Sequence, residues 1–521
     1  FQRLFGMGEL LYKNSTQVLD IKNNINIYAP VGEYKDLLPY LVRRLLENGA
    51  NSSFVNKLFD ETINSKLLAQ NPMKNIKKTN TKIKLPKNIF QERKNSAGFD
   101  LNEKENIKFI KEKIDSYSDK TIKASSIYRN RGNTYVAKKD IFSKSNEKII
   151  GSVYLDDANI ISEKIKNNIK EHFKSGDFDN LKKIFDKIAN EIEQNPFQLV
   201  YYLIHEAGKT IKDSLDEIRE TIDFLRYYSG DINRYIGKKR LAGSTGEENI
   251  LQYSSRGTFV CISPWNFPVA ILVGQISAAL ITKNKVILKP SEHTPILGFL
   301  ICKLFYKNGI MEDDLQLVLG DGGYGDLLTR LESINGVAFT GSLITAKKIQ
   351  HNLHKYNNSL IPLIAETGGI NMMLVDSSAL LEQVVDDIMR SSFASAGQRC
   401  SALRVLLVQK EISTDLISLI KGAMKELVVG SSEDFSVDVG PIINKGSSIK
   451  LKDYVKSMDV IFQADIKDEI KNIFPPTLLK INNLSEINEE IFGPILHVVE
   501  YDAENLNNIL EQINSKKYGL T

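Results

Sequence analysis

Thr258-Phe259-Val260-Cys261-Ile262-Ser263 is a short run of β-branched, aromatic and small residues, bounded by Gly257 before it and Pro264 after it. Its length and boundaries mark a buried strand rather than a piece of helix. The texture then repeats with helices between. Strands are expected at Val286–Lys289, Leu315–Leu319, Val337–Phe339 and Met373–Val375, and helices near Val269–Thr282, Pro295–Asn308 and Leu343–Leu353. Strand–helix alternation of this kind predicts an α/β fold built on a doubly wound parallel sheet.

Upstream, helical patterns dominate from Ile160 to Tyr228. From Asn71 to Lys94 the sequence is rich in Lys and Asn and contains Pro72 and Pro86, the composition of a linker. A basic tether also suits an anionic membrane surface, but a solvated linker is the plainer reading. Residues 1 to about 60 form a separate unit. Ile25-Asn26-Ile27-Tyr28-Ala29 has the alternation of a short strand. A helix should follow from Asp36 as N-cap, with Pro39 in the first turn, where its missing N–H does no harm. Leu37, Leu38, Leu41, Val42, Leu45 and Leu46 make its apolar face, Arg43, Arg44 and Glu47 the other, and Gly49 the stop. One strand–helix pair cannot bury that face alone.

A chain of 521 residues can form two or three domains. Its 68 Lys and Arg against 64 Asp and Glu leave a net charge of +4, which does not call for nucleic acid as a partner. Three cysteines in this length make no disulfide framework and point to a reducing compartment, the cytoplasm. The start has neither a basic segment nor an apolar core, so no secretory signal is read. Ile271 to Ile281 is interrupted by Gln275 and Ser277, so no membrane span is expected. With Phe1 at one end and the turn-like Lys517-Tyr518-Gly519-Leu520 near the other, both ends read as cut, as if from a longer polypeptide.

Chemistry concentrates in a few segments. Cys261 and Cys302 sit in apolar runs and read as small core residues. Cys400 lies in Gly397-Gln398-Arg399-Cys400-Ser401-Ala402, a loop in which a thiol is reachable. Glu366 precedes it by 34 residues, where an expected strand Ile361–Ala365 breaks into Gly368-Gly369. Asn266 sits between Pro264 and Pro268, which stiffen its backbone. A thiolate adds to a carbonyl, a side-chain amide stabilises the resulting oxyanion, and a carboxylate activates water. Singly, each residue has a plainer reading, as a buried thiol, a solvated loop carboxylate or a turn amide. Amides at a helix start near Cys400, with Arg399 adjacent, are expected to lower the thiol pKa. Gly320-Asp321-Gly322-Gly323 is not read as a phosphate-binding glycine element, and alone it reads as a turn. Phe339-Thr340-Gly341-Ser342 ends a strand and opens a helix, whose N-terminus is a ready phosphate site. His351 and His354 share a helix face without a third ligand, so no metal site is expected.

Together and in this order, Pro264-Trp265-Asn266-Phe267-Pro268, Glu366-Thr367-Gly368-Gly369 and the Cys400 segment resemble the aldehyde dehydrogenase superfamily, from about residue 95 to the last residue. The resemblance implies Cys400 as nucleophile, Glu366 as base, and Asn266 with the nucleophile's own N–H as the oxyanion hole. It implies NAD as cofactor, held by Ile262, Ser263, Pro264 and Trp265, by Phe339, Gly341 and Ser342, and by Lys289, Ser291 and Glu292 near the adenosine ribose. Glu490 at the nicotinamide ribose and Phe492, from Glu490-Ile491-Phe492-Gly493-Pro494, complete that set. Ala346 stands where the family often has Gly, and its methyl group is expected to crowd the pyrophosphate.

Val260 to Pro268 and Ser395 to Arg404 resemble the proline utilization A branch in particular, which implies oxidation of L-glutamate γ-semialdehyde to glutamate. Ser401 then donates to the substrate α-carboxylate and Arg399 adds positive potential. Phe1-Gln2-Arg3-Leu4, Gly6-Met7-Gly8-Glu9, Tyr28 to Gly32 and Tyr40 to Val55 resemble the end of that family's proline dehydrogenase barrel. A single βα unit out of eight implies neither FAD binding nor proline oxidation. The implied organisation is a barrel remnant over 1–60, a linker over 61–94, an NAD-binding domain over 95–366 and a catalytic domain over 367–521. Family members continue with a substrate-anchoring loop and a hairpin that pairs subunits; neither is in the sequence, so the aldehyde pocket is expected to be open on one side. The alternatives are a weakly active or inactive fragment and a dehydrogenase for another semialdehyde.

Overall fold

Two five-stranded sheets carry the larger part of the chain, joined by only three residues, Gly368-Gly369-Ile370. The computed structural model describes residues 1–19, 25–49, 57, 60, 62–71, 73, 83–132, 135–169, 173–466 and 471–521. It divides into two units, Phe1–Ile83 and Lys84–Thr521. Residues 72 and 74–82, within the stretch read as linker, and 50–55 of the barrel-like stretch lie outside the described residues.

In the larger unit, the first sheet has strands Thr258–Ile262, Lys285–Lys289, Leu315–Leu317, Gly336–Gly341 and Leu363–Thr367, all parallel. Thr258–Ile262 is central, with Lys285–Lys289 and Gly336–Gly341 as neighbours and the remaining two strands at the edges. The strand order reverses at Thr258–Ile262, the arrangement of a doubly wound sheet. The helix Ala270–Ile281 packs on it with nine of its twelve residues buried, so it is apolar nearly all round rather than striped.

The second sheet places Asn371–Val375, Leu403–Gln409, Ile495–Tyr501 and Thr477–Lys480 in parallel, with Asp459–Gln463 antiparallel at the far edge. Met373–Val375 therefore belongs to this second sheet rather than to the first alternation. Periodicity cannot show this, because the link before the strand is too short to look like a boundary. A three-stranded sheet, Ile122–Ser125, Tyr135–Phe142 and Ile149–Asp156, and a two-stranded antiparallel one, Lys239–Leu241 with Asn249–Leu251, also belong to this unit.

In the smaller unit, Gln2–Leu4 pairs in parallel with Asn26–Tyr28, and each strand is followed by a helix, Glu9–Leu19 and Tyr34–Gly49. A βα unit thus precedes the one read from sequence; three residues are too few for alternation to register. The second helix begins at Tyr34, so Asp36 lies inside it rather than at its cap. Its Leu45 and Leu46 are about 70% exposed within this unit.

His497 shows how the second sheet treats polar groups. It is fully buried; its Nδ1–H donates to Arg404 O at 2.9 Å, and its Nε2 accepts from the Tyr454 hydroxyl at 2.9 Å. Both ring nitrogens are satisfied in the neutral form, and burial holds the pKa down at about 4. The unfolded chain takes up this proton first, near pH 6.5, so stability falls as pH drops from there towards 4. His497→Gln should lose about 2 kcal/mol less stability than the parent between pH 7 and pH 5. Urea unfolding at the two pH values measures this, and equal losses in both proteins would contradict it.

Candidate active site

Phe339 pairs with Ile262 where the first sheet reverses its strand order. From the carboxyl ends of these two strands the chain leads to neighbours on opposite sides of the pair, leaving the crevice in which open α/β sheets bind ligands. Here the crevice is a cleft of about 800 Å³. Ile262, Ser263, Pro264 and Trp265 line it from the first strand, and Phe339, Gly341 and Ser342 from the second. Lys289, Ser291 and Glu292 line it from the neighbouring strand end, and Glu490 and Phe492 from the loop before Ile495–Tyr501. Asn266, Glu366 and Cys400 line the same cleft. Arg399 and Ser401 are not among its lining residues.

Several features fit a dinucleotide. Ser342 caps the 14-residue helix Leu343–Tyr356 by accepting from Thr345 N at 3.2 Å, which sets the positive end of the helix at the cleft. Lys289 is nearly buried, and its Nζ lies 3.3 Å from the Glu292 carboxylate; burial lowers the ammonium pKa. Trp265 and Phe492 meet edge to face, with ring centroids 5.6 Å apart. Glu490 Oε1 is buried without a hydrogen bond, an orphaned acceptor that a hydroxyl-bearing ligand would satisfy. The Ala346 methyl packs in the core with Val337, Phe339 and Ile349 and does not line the cleft, so it does not crowd a pyrophosphate.

Gly320-Asp321-Gly322-Gly323, read as a turn, runs on through Tyr324 to Gly325 as Gly-x-Gly-x-x-Gly between the strand Leu315–Leu317 and a helix, the setting of a phosphate-binding element. Asp321 caps the helix Gly322–Thr329 by accepting from Gly323 N at 2.9 Å, and Gly322 and Gly325 line the cleft. Ser447 and Lys450 also line it, from the helix Lys445–Lys456. That amphipathic helix carries no signal distinguishing these positions from solvated ones. Among the described residues no group of three potential metal ligands occurs.

The Cys400 loop is held under strain. Helix Leu381–Ile388 passes into a π-helical turn at Met389–Phe393, then Ser395, Ala396 and Gly397 take φ of 53°, 54° and 64°. Ser395 and Ala396 sit there at a cost of about 1–3 kcal/mol each. Gly397 is required twice over, since a Cβ would also strike the Gly493 carbonyl. The fasteners are explicit. Asp213 accepts from Ser395 N at 3.1 Å and from Arg399 Nη2 at 2.6 Å. Buried Arg404 donates to Gly397 O, Gly493 O and Arg399 O at 2.7, 3.0 and 2.9 Å. Asn371 Nδ2 donates to Cys400 O at 2.7 Å and Ala402 O at 2.9 Å. The Asn266 amide donates to Gln398 O at 3.0 Å, tying the two loops together.

Cys400 therefore lies in a turn rather than at a helix start. Its thiol pKa is raised, not lowered. Burial is the largest cause, and the Glu490 and Glu366 carboxylates add to it. Arg399 offers no relief because its guanidinium is engaged by Asp213 and Ser395. Cys261 and Cys302 are fully buried, and burial pushes the Cys261 pKa up to about 12. Glu366 is exposed on the edge strand Leu363–Thr367, one residue from its end rather than beyond it. A Cβ on Gly368 would collide with Glu490, so glycine lets that carboxylate approach the crossing between the sheets.

Alkylation of Cys400 by iodoacetamide should accordingly accelerate only above the ordinary thiol range. Glu490→Gln should move the pH–rate curve to lower pH, because a repelling charge is gone. An unchanged curve would remove Glu490 from the electrostatics of the thiol.

Residues 133–521 match the aldehyde dehydrogenase family, and residues 1–57 match proline dehydrogenase. The chain is 36% identical to bifunctional protein PutA of Escherichia coli over 553 aligned residues, covering 100% of this chain and 41% of that protein. It is 30% identical to 1-pyrroline-5-carboxylate dehydrogenase of Bacillus subtilis over 348 residues, 65% of this chain and 67% of that protein. Proline utilization A of Bradyrhizobium japonicum superposes with a TM-score of 0.80 at 35% identity, covering 100% of this chain and 51% of that one. The chain thus spans about half or less of the length of these bifunctional relatives. With 389 of its 521 residues matched and the thiol, amide and carboxylate lining one cleft, this chain belongs to the aldehyde dehydrogenase family.

Proposed function

We propose that this chain oxidises L-glutamate γ-semialdehyde, the open form of 1-pyrroline-5-carboxylate, to L-glutamate with NAD⁺ as hydride acceptor. The observation that carries the reading is the convergence of Cys400, Asn266 and Glu366 on the cleft that Glu490 and Ser342 also line. Cys400 is also the one cysteine of the three that is not fully buried.

The raised pKa of the thiol means that its proton must leave as sulfur attacks. Glu366 is close enough to repel the thiolate and exposed enough to pass a proton to water, so it suits the base. The oxyanion formed at the aldehyde carbon meets the second N–H of Asn266, whose first is held by Gln398 O. A bound NAD⁺ would supply the hydride acceptor, and Cys400 would then hold the oxidised acyl group as a thioester. Glu366 then draws a proton from the attacking water, and glutamate departs.

The choice of aldehyde is supported by the relatives that are 36% and 30% identical rather than by a carboxylate clamp. Arg399 is committed to Asp213, and neither it nor exposed Ser401 lines the cleft. That favours a second reading, a dehydrogenase that discriminates weakly among semialdehydes. No helix among the described residues is long and apolar enough to cross a membrane, and a cytoplasmic location suits three free cysteines. We assign neither flavin nor proline oxidation to Phe1–Ile83, which supplies two strands of a barrel that needs eight.

Cys400→Ser should abolish NAD⁺-linked oxidation of glutamate semialdehyde while leaving NAD⁺ affinity unchanged by titration. Retained turnover would remove the thiol from the mechanism. Glu366→Gln should slow thioester hydrolysis by about a hundredfold or more and acylation less, so that a slowed first burst of NADH still precedes the steady state. Rapid-mixing absorbance separates the phases, and equal loss of both would confine Glu366 to activating the thiol.

A further inference from the structure

Lys209 and Glu217 form a buried ion pair that the chemistry above does not use. They are 6% and 1% exposed, with Lys209 Nζ and Glu217 Oε2 2.6 Å apart, an ion contact outside hydrogen-bonding geometry. A buried pair of this kind is retained at a desolvation cost and needs well-directed partners. The hydrogen-bond and ring partners of the two side chains lie in one five-residue segment, Asn266 to Ala270. Lys209 Nζ donates to the Asn266 carbonyl at 3.0 Å and sits 4.0 Å from the centre of the Phe267 ring. Glu217 Oε1 accepts from Val269 N at 2.8 Å and Ala270 N at 3.1 Å, which caps the helix Ala270–Ile281.

We infer that Lys209 is a positioning residue for the Asn266 amide, with Glu217 as its anchor. The inference rests on the oxyanion role proposed above for Asn266. Fixing the Asn266 carbonyl from one side and the Val269 and Ala270 amides from the other holds the Asn266–Phe267 peptide and the turn after it, and hence the direction of the Asn266 side chain. That side chain is already shared with the nucleophile loop through Gln398 O. One helical turn before Glu217, Asp213 holds Ser395 N and Arg399. The start of helix Ile211–Ile236 thus sets the thiol loop against the amide. Without Lys209, the Asn266 carbonyl swings free and the oxyanion donor is misplaced by a fraction of its own hydrogen-bond length.

The test uses the full chain, NAD⁺ and glutamate semialdehyde. Lys209→Met should lower kcat by about a hundredfold, the scale of an ångström misplacement. The Kd for NAD⁺ should stay within about twofold of the parent, because no cofactor contact is touched. Lys209→Arg, which keeps a donor and a charge, should restore most of kcat. In an Asn266→Ala background, Lys209→Met should cost little more, because the group it positions is gone. A full, additive loss in that background overturns the proposal while leaving Asn266 its role. Wild-type turnover in Asn266→Ala alone removes the oxyanion assignment, and this proposal with it, as does a parent chain without turnover. Should Lys209→Met leave Glu217 uncompensated and the protein unfolded, Lys209→Gln with Glu217→Gln keeps the cap and removes the long donor. That pair should show the same split between kcat and Kd, and parental kcat there overturns the proposal.

Discussion

A single guanidinium, that of Arg404, holds the catalytic half of this molecule together. It is 1% exposed and donates to three backbone carbonyls, Gly397 O, Gly493 O and Arg399 O. It also faces Glu490 at 3.5 Å, an ion contact rather than a hydrogen bond, since Glu490 Oε1 keeps no bond. Burial lowers its pKa to about 10, still high enough to keep it charged at neutral pH. Those carbonyls belong to the strained turn before Cys400 and to the loop that carries Glu490 and Phe492. Three successive left-handed residues persist only where surrounding contacts over-determine them. Arg404, Asp213 and Asn371 are those contacts. The reactive loop and the ligand loop are thereby built as one piece.

The constraint extends to the first sheet. The chain crosses between sheets in three residues, with Glu366 just before the crossing and Asn371 just after it. The carboxylate and the fastener of the Cys400 turn thus sit at opposite ends of one short link. Asn266 closes the circuit from the switch point. The electrostatics this produces are unfavourable to a resting thiolate, because burial and two carboxylates oppose it. A thiol kept protonated until a base acts is guarded against oxidation and stray alkylation, since the thiolate is the reactive form. On the mechanism proposed above, the activation belongs to the reaction, not to the resting state.

Much of this was legible in the sequence. The strands of the first sheet could be read because each is a short apolar run between turn residues. Asn266, Glu366 and Cys400, which the structure brings to one cleft, could be singled out because amide, carboxylate and thiol in that order have few other uses together. Arg404 could not, because an arginine in Ser401-Ala402-Leu403-Arg404 looks like any strand boundary residue until its burial is known. Lys209, Asp213 and Glu217 were hidden for the same reason, on what reads as the polar side of an amphipathic helix and its lead-in. Arg399 was given a substrate role because its partner, Asp213, lies 186 residues away and no local pattern connects them. The first βα unit escaped because three-residue strands carry no period. What sequence failed to give is long-range pairing of charge.

The proposed reaction requires the Cys400 sulfur to carry the acyl group. Intact-protein and peptide mass spectrometry after rapid quenching, with NAD⁺ and glutamate semialdehyde present, tests it most directly. One glutamyl group on the peptide containing Cys400, labile to hydroxylamine as a thioester is, is the predicted result. Turnover without that adduct, or an adduct on any other residue, would contradict it.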